Sequence, residues 1–376
     1  MDVFKHGIEA GEEELAPLRT QMLVQLDKLW RSGMDAHIEQ LKAVFRALCM
    51  RISEQQARGE KGPIGYIHFS YLRSWLMQGE LKYALEAYDD TWYMDRCECI
   101  ELYECDWLYP YLDRMEEGAM AARPYTPNGA AFDSRTVRLR EIVTLHQYVR
   151  EWLRQALPQL LVLPEFEAVK RAEILRIRTG EYKDYSEQLW MEDLADKDAK
   201  AVQEWLEQKH PTAYIASDLR SLDLSGGNYA DIDLRHSHCT SGNWSNAKME
   251  RSTCIGTDFS GSKLSGTNLS QSLLFDADFS SCKLDGASFR EAAGGRQVVK
   301  DGMVLGFRGI SFKDADLEGA DLLYADFYNA DFSGACMKGA LVMSSDAHKW
   351  QLSEDQKRNI QWMVEDESGV PVPAGG

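Results

Sequence analysis

Three cysteines (Cys97, Cys99, Cys105) and two histidines (His236, His238) are the residues that come nearest to a metal-ligand pattern. The spacing C-x-C-x5-C lacks the paired C-x2-C units of a structural zinc site, and no histidine stands close to it in sequence. No metal is expected there, nor at His236 and His238. His146 lies on the apolar side of an amphipathic stretch and reads as a core histidine rather than a ligand. The chain has no glycine-rich phosphate loop, no G-x-S-x-G elbow and no H-E-x-x-H. No catalytic residue and no cofactor is assigned, and the protein is expected not to be an enzyme.

The remaining chemistry is that of recognition. Between Gly79 and Gly118, Glu98, Glu101, Glu104 and other acids are interleaved with Tyr83, Tyr88, Trp92, Tyr93, Tyr103, Trp107, Tyr109 and Tyr111, against only Lys82, Arg96 and Arg114. Carboxylates beside aromatic faces suit a basic partner, whose Lys and Arg can pair with the acids and lie over the rings. A solvated acidic rim over a local aromatic core would look the same. Glu98, Glu101, Glu104 and Trp107 are the candidate partner-binding residues of this segment.

These residues need a scaffold, and residues 1–210 read as a mainly helical domain. Leu15, Leu18, Met22, Leu26 and Leu29 form one helical stripe, and Ile38, Leu41, Phe45, Leu48 and Ile52 form a second. Separated by Ser32-Gly33, they suggest a helical hairpin, packed on itself or on a partner. A third helix is expected from Ser134 to Leu157, stopped by Pro158, with more helix from Glu165 to Arg178 and from Ala195 to Lys209. Strands are possible at Ile64–Leu72 and around Cys97–Tyr103.

From Ser217 a different rule takes over. A small residue recurs at almost every fifth position and a large apolar one follows two places later, as at Leu219, Trp244, Phe259, Leu264, Leu269 and Phe279. The frame is lost near Glu291 and resumes through Phe312, Leu317, Phe327 and Phe332. Neither helix nor plain strand has a period of five, so the chain must turn a corner in every repeat. Stretches such as Ala315-Asp316-Leu317-Glu318-Gly319 and Ala325-Asp326-Phe327-Tyr328-Asn329 match A-(D/N)-L-x-x and resemble the pentapeptide-repeat family.

The resemblance implies a right-handed quadrilateral parallel β-helix over residues 211–348, with four repeats per coil. Leu219, Phe259, Leu264, Leu269, Phe279, Leu317, Phe327 and Phe332 would then be its core, with residues twenty apart stacked. Trp244 is too large for a usual slot, so its coil is expected to be distorted or open. Cys239, Cys254 and Cys282 would be small buried hydrophobes. Residues 290–309, through Gln297-Val298-Val299, Asp301-Gly302 and Met303-Val304-Leu305, read as an inserted hairpin. Ser353-Glu354-Asp355-Gln356 has the form of a capping box. It opens a C-terminal helix, residues 349–366, that would turn Trp350, Leu352, Ile360 and Met363 onto the open end or pair it with a second copy as a homodimer. Residues 367–376 are expected to be a disordered tail.

The 376 residues carry a formal net charge of −18, of which the first 210 hold −10 and the repeats −6. Such a balance repels phosphate, so direct nucleic-acid binding is not expected. The absence of an apolar run long enough for a membrane helix, together with eight cysteines at no framework spacing, points to a soluble cytoplasmic protein with reduced thiols. The function expected is a non-enzymatic scaffold or adaptor for protein partners. One alternative, implied by the resemblance, is a DNA mimic acting on DNA gyrase or topoisomerase IV, with Asp316, Asp321 and Asp326 as its candidate contacts. Another is an accessory subunit of a peptide-modifying enzyme or a secretion system.

Overall fold

The computed structural model describes residues 2–32, 34–122, 135–295 and 307–374. They cluster into two units that divide between Leu194 and Ala195.

The N-terminal unit runs α1 (Asp2–Ser32), α2 (Asp35–Ala57), β1 (Ile64–Tyr71), α3 (Arg73–Met77), β2 (Lys82–Asp89), β3 (Ile100–Glu104), α4 (Tyr109–Ala122), α5 (Arg135–Leu160), α6 (Pro164–Glu167), β4 (Arg171–Glu181) and β5 (Ser186–Asp193). The strands make one sheet in the order β3-β2-β1-β4-β5, in which only the β1–β4 pair is parallel. The unit is therefore mixed α and β rather than mainly helical. The helix expected from Glu165 to Arg178 is a single turn, α6, followed by β4. Leu175, Ile177 and Thr179 are buried and alternate with Arg176 and Arg178, a period of two that belongs to a strand.

The first two helices do not close on each other as a hairpin. α1 packs on α4, where a Cβ at Gly118 would stand 2.2 Å from Leu18 Cδ2, and α2 lies against β2 and β3 with Ile38, Leu41, Phe45, Leu48 and Ile52 buried. α5 continues past Pro158 to Leu160, because a missing N–H in the last turn removes only one bond. On α5, His146 stacks on Tyr83 with its Nδ1 2.8 Å from the Tyr83 hydroxyl, and burial pushes its pKa down to about 4. It is a neutral core histidine.

The C-terminal unit opens with α7 (Ala199–Glu207), capped by the Asp198 side chain. Leu206 of α7 enters the core of the repeat region, and the Tyr214 hydroxyl donates to Trp205 O at 2.8 Å. From Asp218 the chain forms parallel bridges between residues twenty apart, Asp218 to His238 to Asp258 to Asp278, so that each coil has four five-residue sides. Every corner is a β-turn. The central residue's carbonyl accepts the N–H of the small residue three positions on, as in Ala247 N to Trp244 O at 3.0 Å. The residue two after the centre takes a positive φ, 59° at Ser221 and 66° at Gly266, as type II turns require.

This geometry explains the sequence signature. At many centres the preceding residue is an Asp or Asn that accepts the backbone N–H two residues on, as Asp258 does from Ser260 at 2.9 Å and Asp278 from Ser280 at 2.8 Å. Small hydroxyls donate to a carbonyl of the preceding coil, Thr257 to Leu234 O at 2.7 Å and Thr267 to Trp244 O at 2.8 Å. Leu219, Phe259, Leu264, Leu269, Phe279, Leu317, Phe327 and Phe332 are all buried. Phe259, Phe279, Phe312 and Phe332 stack in one column with ring centroids 5.0, 5.5 and 5.1 Å apart.

Trp244 corrects an expectation: it is fully buried and its coil is intact, with Trp244 N donating to Lys263 O at 2.7 Å. Room comes from the small position two residues earlier, which is Gly242. A Cβ there would lie 2.9 Å from Trp244 Nε1. Tyr229 is accommodated the same way, since a Cβ on Gly227 would lie 2.2 Å from its ring.

The frame runs to Ala293, two residues past Glu291, where Ala293 bridges Leu273 and Asp326. The strands of the expected hairpin lie outside the described residues. The chain re-enters at Phe307, where the Asp276 carboxylate accepts the N–H groups of Phe307, Arg308 and Gly309 at 2.6, 2.6 and 2.8 Å.

At the far end lie β6 (Leu341–Met343), α8 (Glu354–Asn359), β7 (Gln361–Glu365) and β8 (Pro371–Pro373). Ser353 and Gln356 form a full capping box, and Gln356 Nε2 also donates to Phe332 O and Ala335 O, two carbonyls of the last coil. Trp350, Leu352 and Ile360 are buried with the coil core. The helix is shorter than expected. β7 continues the stack by pairing with β6, and β8, in a segment expected to be disordered, pairs with β7.

Candidate interaction site

In the N-terminal sheet, alternation places Tyr66, His68 and Ser70 of β1 on one face with their partners Tyr88, Glu86 and Ala84 of β2 and Arg176, Arg178 and Gly180 of β4. The opposite face carries Ile67, Phe69, Leu85 and Ile177, all buried. The connection from Asp89 to Cys99 brings Trp92 and Tyr93 to the Tyr66 face. Trp92 stacks on Tyr66 at 4.4 Å and on Tyr93 at 5.0 Å, and its Nε1 donates to His68 Nε2 at 3.1 Å. Burial, reinforced by the Arg178 charge, pushes the His68 pKa down to about 4, so the ring is the neutral acceptor this bond needs. Arg178 lies over Trp92 at 5.7 Å and Arg176 over Tyr66 at 5.9 Å.

Trp92 has φ 55°, a left-handed conformation that costs a bulky residue energy. What holds it there is a buried clamp. Lys61 Nζ contacts Asp95 Oδ2 at 2.6 Å and donates to Ala87 O and Cys97 O at 2.7 and 2.6 Å. Burial works to raise the Asp95 pKa, but the Lys61 ammonium and the amides of Asp89 and Cys97 hold it below the usual carboxylate range. Gln55 of α2 adds a bond from Nε2 to Glu98 O at 2.9 Å.

Beside this loop is a pocket of about 150 Å³ lined in part by Glu86, Tyr88, Tyr93, Glu98, Tyr182 and Lys183. Burial pushes the Glu86 pKa up against the pull of hydroxyl bonds from Tyr88, at 2.5 Å, and Ser70. Lys183 Nζ sits over the Tyr182 ring at 5.1 Å. Asp95 and Arg96 also line the pocket, so three acids there face two bases of the same chain.

The structure does not gather the sequence-picked residues into one patch. Glu101 and Glu104 point to opposite faces of β3; Glu101 pairs with Arg51 at 2.7 Å, and Glu104 accepts from the Tyr109 hydroxyl at 3.3 Å. Glu98 is exposed at the pocket. Trp107 is buried, edge-on to Trp152 at 5.7 Å, and is corrected from partner contact to core. Asp316, Asp321 and Asp326 stand at equivalent positions of successive repeats and so on three different sides of the coil. Asp316 and Asp321 accept turn amides, of Glu318 at 3.1 Å and Leu323 at 3.0 Å, and Asp321 also pairs with Arg290 at 2.9 Å.

Sequence reasoning missed Arg176, Arg178, Tyr66 and His68. The alternation of Arg176 and Arg178 with Leu175 and Ile177 was the available signal. Cys99 and Cys105 are buried, and no cluster of metal-ligating residues occurs among the described residues.

The fold of the C-terminal unit defines a β-solenoid with five-residue sides. A family model described as pentapeptide repeats matches this repeat region in eight copies, over residues 228–266, 254–290 and 307–343. Similar solved structures include the pentapeptide repeat protein Rfr23 from the cyanobacterium Cyanothece 51142, 18% identical over 36% of this chain and 94% of that one, with a TM-score of 0.25. QnrB1, a plasmid-mediated fluoroquinolone resistance protein, is 17% identical over 41% of this chain and 79% of that one, TM-score 0.20. A pentapeptide repeat protein of the Arabidopsis thaliana thylakoid lumen is 23% identical over 41% and 83%, TM-score 0.16. No curated protein sequence matches the chain. No helix among the described residues is long and apolar enough to cross a membrane.

Proposed function

We propose that the protein is a non-enzymatic adaptor for protein partners, in which the Trp92 face of the N-terminal unit binds one partner and the solenoid is a rigid support. The observation that carries this reading is the backbone of Trp92. A left-handed conformation in a bulky residue costs on the order of 1–3 kcal/mol and persists only where its surroundings over-determine it. Here the buried Lys61–Asp95 pair supplies that constraint, and what it presents is a cluster of Tyr, Trp and Arg, the residue types concentrated at interface hot spots. Tyr93 and Met94 next to it are exposed, at 41% and 77%. A basic side chain of the partner fits the neighbouring pocket, where Tyr88, Tyr93 and Tyr182 meet Glu86 and Glu98.

The test is capture of partners by the full chain and by Tyr93→Ala/Met94→Ala. Neither exposed side chain belongs to the core, so melting should be unchanged while at least one partner is lost about tenfold or more. Retention of every partner by the double variant overturns the reading. DNA mimicry would require carboxylates aligned along one side, and Asp316, Asp321 and Asp326 occupy three. A supercoiling assay covers it: inhibition of gyrase by the full chain that survives Tyr93→Ala/Met94→Ala would select the mimic instead.

A further inference from the structure

A cleft of about 470 Å³ lies at the far end of the solenoid. Its apolar wall is Ala325, Met343, Met363 and Val364, and its polar groups are Tyr324, Asp326, Ser345, Asp346, Lys349 and Glu365. Three carboxylates thus face one ammonium, and Lys349 is already committed to Asp346 at 2.7 Å. Glu365 accepts the neutral Tyr324 hydroxyl at 3.1 Å. Asp326 is exposed, and its charge adds to that of Asp346 in raising the Lys349 pKa.

Strand addition is disfavoured at the β8 edge. The bonds Asp366 N to Val370 O and Ala374 N to Trp362 O put even-numbered residues of the β8 segment in hydrogen-bonded register with β7. The outward-facing positions are then Pro371 and Pro373, neither of which has an N–H to offer. That favours a partner that binds through its side chains. A methionine wall beneath carboxylates that outnumber the one ammonium is complementary to an apolar side chain flanked by cations.

We infer that this cleft is a docking site for a short basic segment of another protein, which sets an aliphatic residue against Met343, Met363 and Val364 and its Lys or Arg groups on Asp326 and Glu365. The site is separate from the Trp92 face, and either can fail without the other.

The experiment uses the full chain and three labelled synthetic peptides, one alternating leucine and lysine, one alternating serine and lysine, and one alternating leucine and glutamate, read by fluorescence anisotropy. The leucine–lysine peptide should bind most tightly and the leucine–glutamate peptide not at all. Asp326→Asn with Glu365→Gln should weaken the leucine–lysine complex about tenfold, as expected for losing two partly exposed charge pairs. Asp331→Asn with Glu318→Gln removes the same charge elsewhere on the coil and should leave binding unchanged. Equal weakening by the two double variants would mean general attraction to an acidic protein and would overturn the inference. Equal binding of the serine–lysine peptide would overturn the role of the methionine wall, and no binding of any peptide would overturn the site.

Discussion

The two units put the same aspartate turn bond to different uses. In the solenoid, Asp258, Asp278, Asp316 and Asp331 each accept a backbone N–H two residues on, a task asparagine performs equally well at Asn243 and Asn268. In the N-terminal unit, Asp95 is buried against Lys61, and the pair holds a strained loop in place. Negative charge at these four repeat positions is thus a by-product of turn chemistry, whereas at Asp95 the charge itself is structural. An acidic stretch of sequence therefore says little about a partner until the bonds of each carboxylate are known.

The largest effect separating the units should come from the solenoid core. Phe279→Asp places an unpaired carboxylate between the Phe259 and Phe312 rings and removes their shared stack. A loss of about 5 kcal/mol or more is expected, enough to abolish the solenoid's melting transition. In calorimetry the N-terminal unit should keep its own transition. An unchanged solenoid transition would show that the stacked column is misassigned.

Next in size is the clamp. Lys61→Met leaves Asp95 buried without its cation and should cost about 3–5 kcal/mol. The loss should fall on the N-terminal transition and alter Trp92 fluorescence as its loop is released. Lys61→Met combined with Asp95→Leu should recover part of the stability, because replacing both charges removes the uncompensated carboxylate. If the single variant melts like the parent, the clamp does not hold the loop.

Smaller again is the pairing of size within a repeat. Gly242→Ala drives a Cβ to 2.9 Å from Trp244 Nε1 and should cost about 1–3 kcal/mol of overpacking. Trp244→Phe in the same chain should restore much of it. A double variant no better than Gly242→Ala would show that the glycine serves only the backbone.

Legibility in the sequence followed the range of the interactions. The solenoid's core from Leu219 to Phe332 could be read because each slot is set by a residue two positions away and by neighbours twenty apart. Even the room for Trp244 was written locally, in Gly242. The C-terminal capping box was equally local. The N-terminal sheet was not, because β1 joins β4 across more than a hundred residues and Arg176 meets Tyr66 only through that pairing. Glu101 and Glu104 looked like one acidic patch because spacing in sequence carries no face until the segment is known to be a strand. Trp107 looked available because its cover, Trp152, arrives from α5.

The smallest expected effect bears most directly on that comparison. If the acidity of the repeats exists for their turns, Asp316→Asn should be nearly silent, since an amide oxygen can still accept the Glu318 N–H now received at 3.1 Å. Asp316→Ala removes the acceptor and leaves that amide to water, at a cost of about 0.5–1 kcal/mol. Asp321 is the informative contrast, because it pairs with Arg290 as well as accepting the Leu323 N–H. There asparagine keeps the turn bond but loses a partly exposed ion pair worth roughly 0.2–1 kcal/mol, and only this variant should lose its penalty at high salt. Thermal melts of the four single variants, Asn and Ala at each position, in low and high salt would separate the two contributions. A salt-dependent penalty for Asp316→Asn as large as that for Asp316→Ala would mean that charge, not turn geometry, selects aspartate in the repeat.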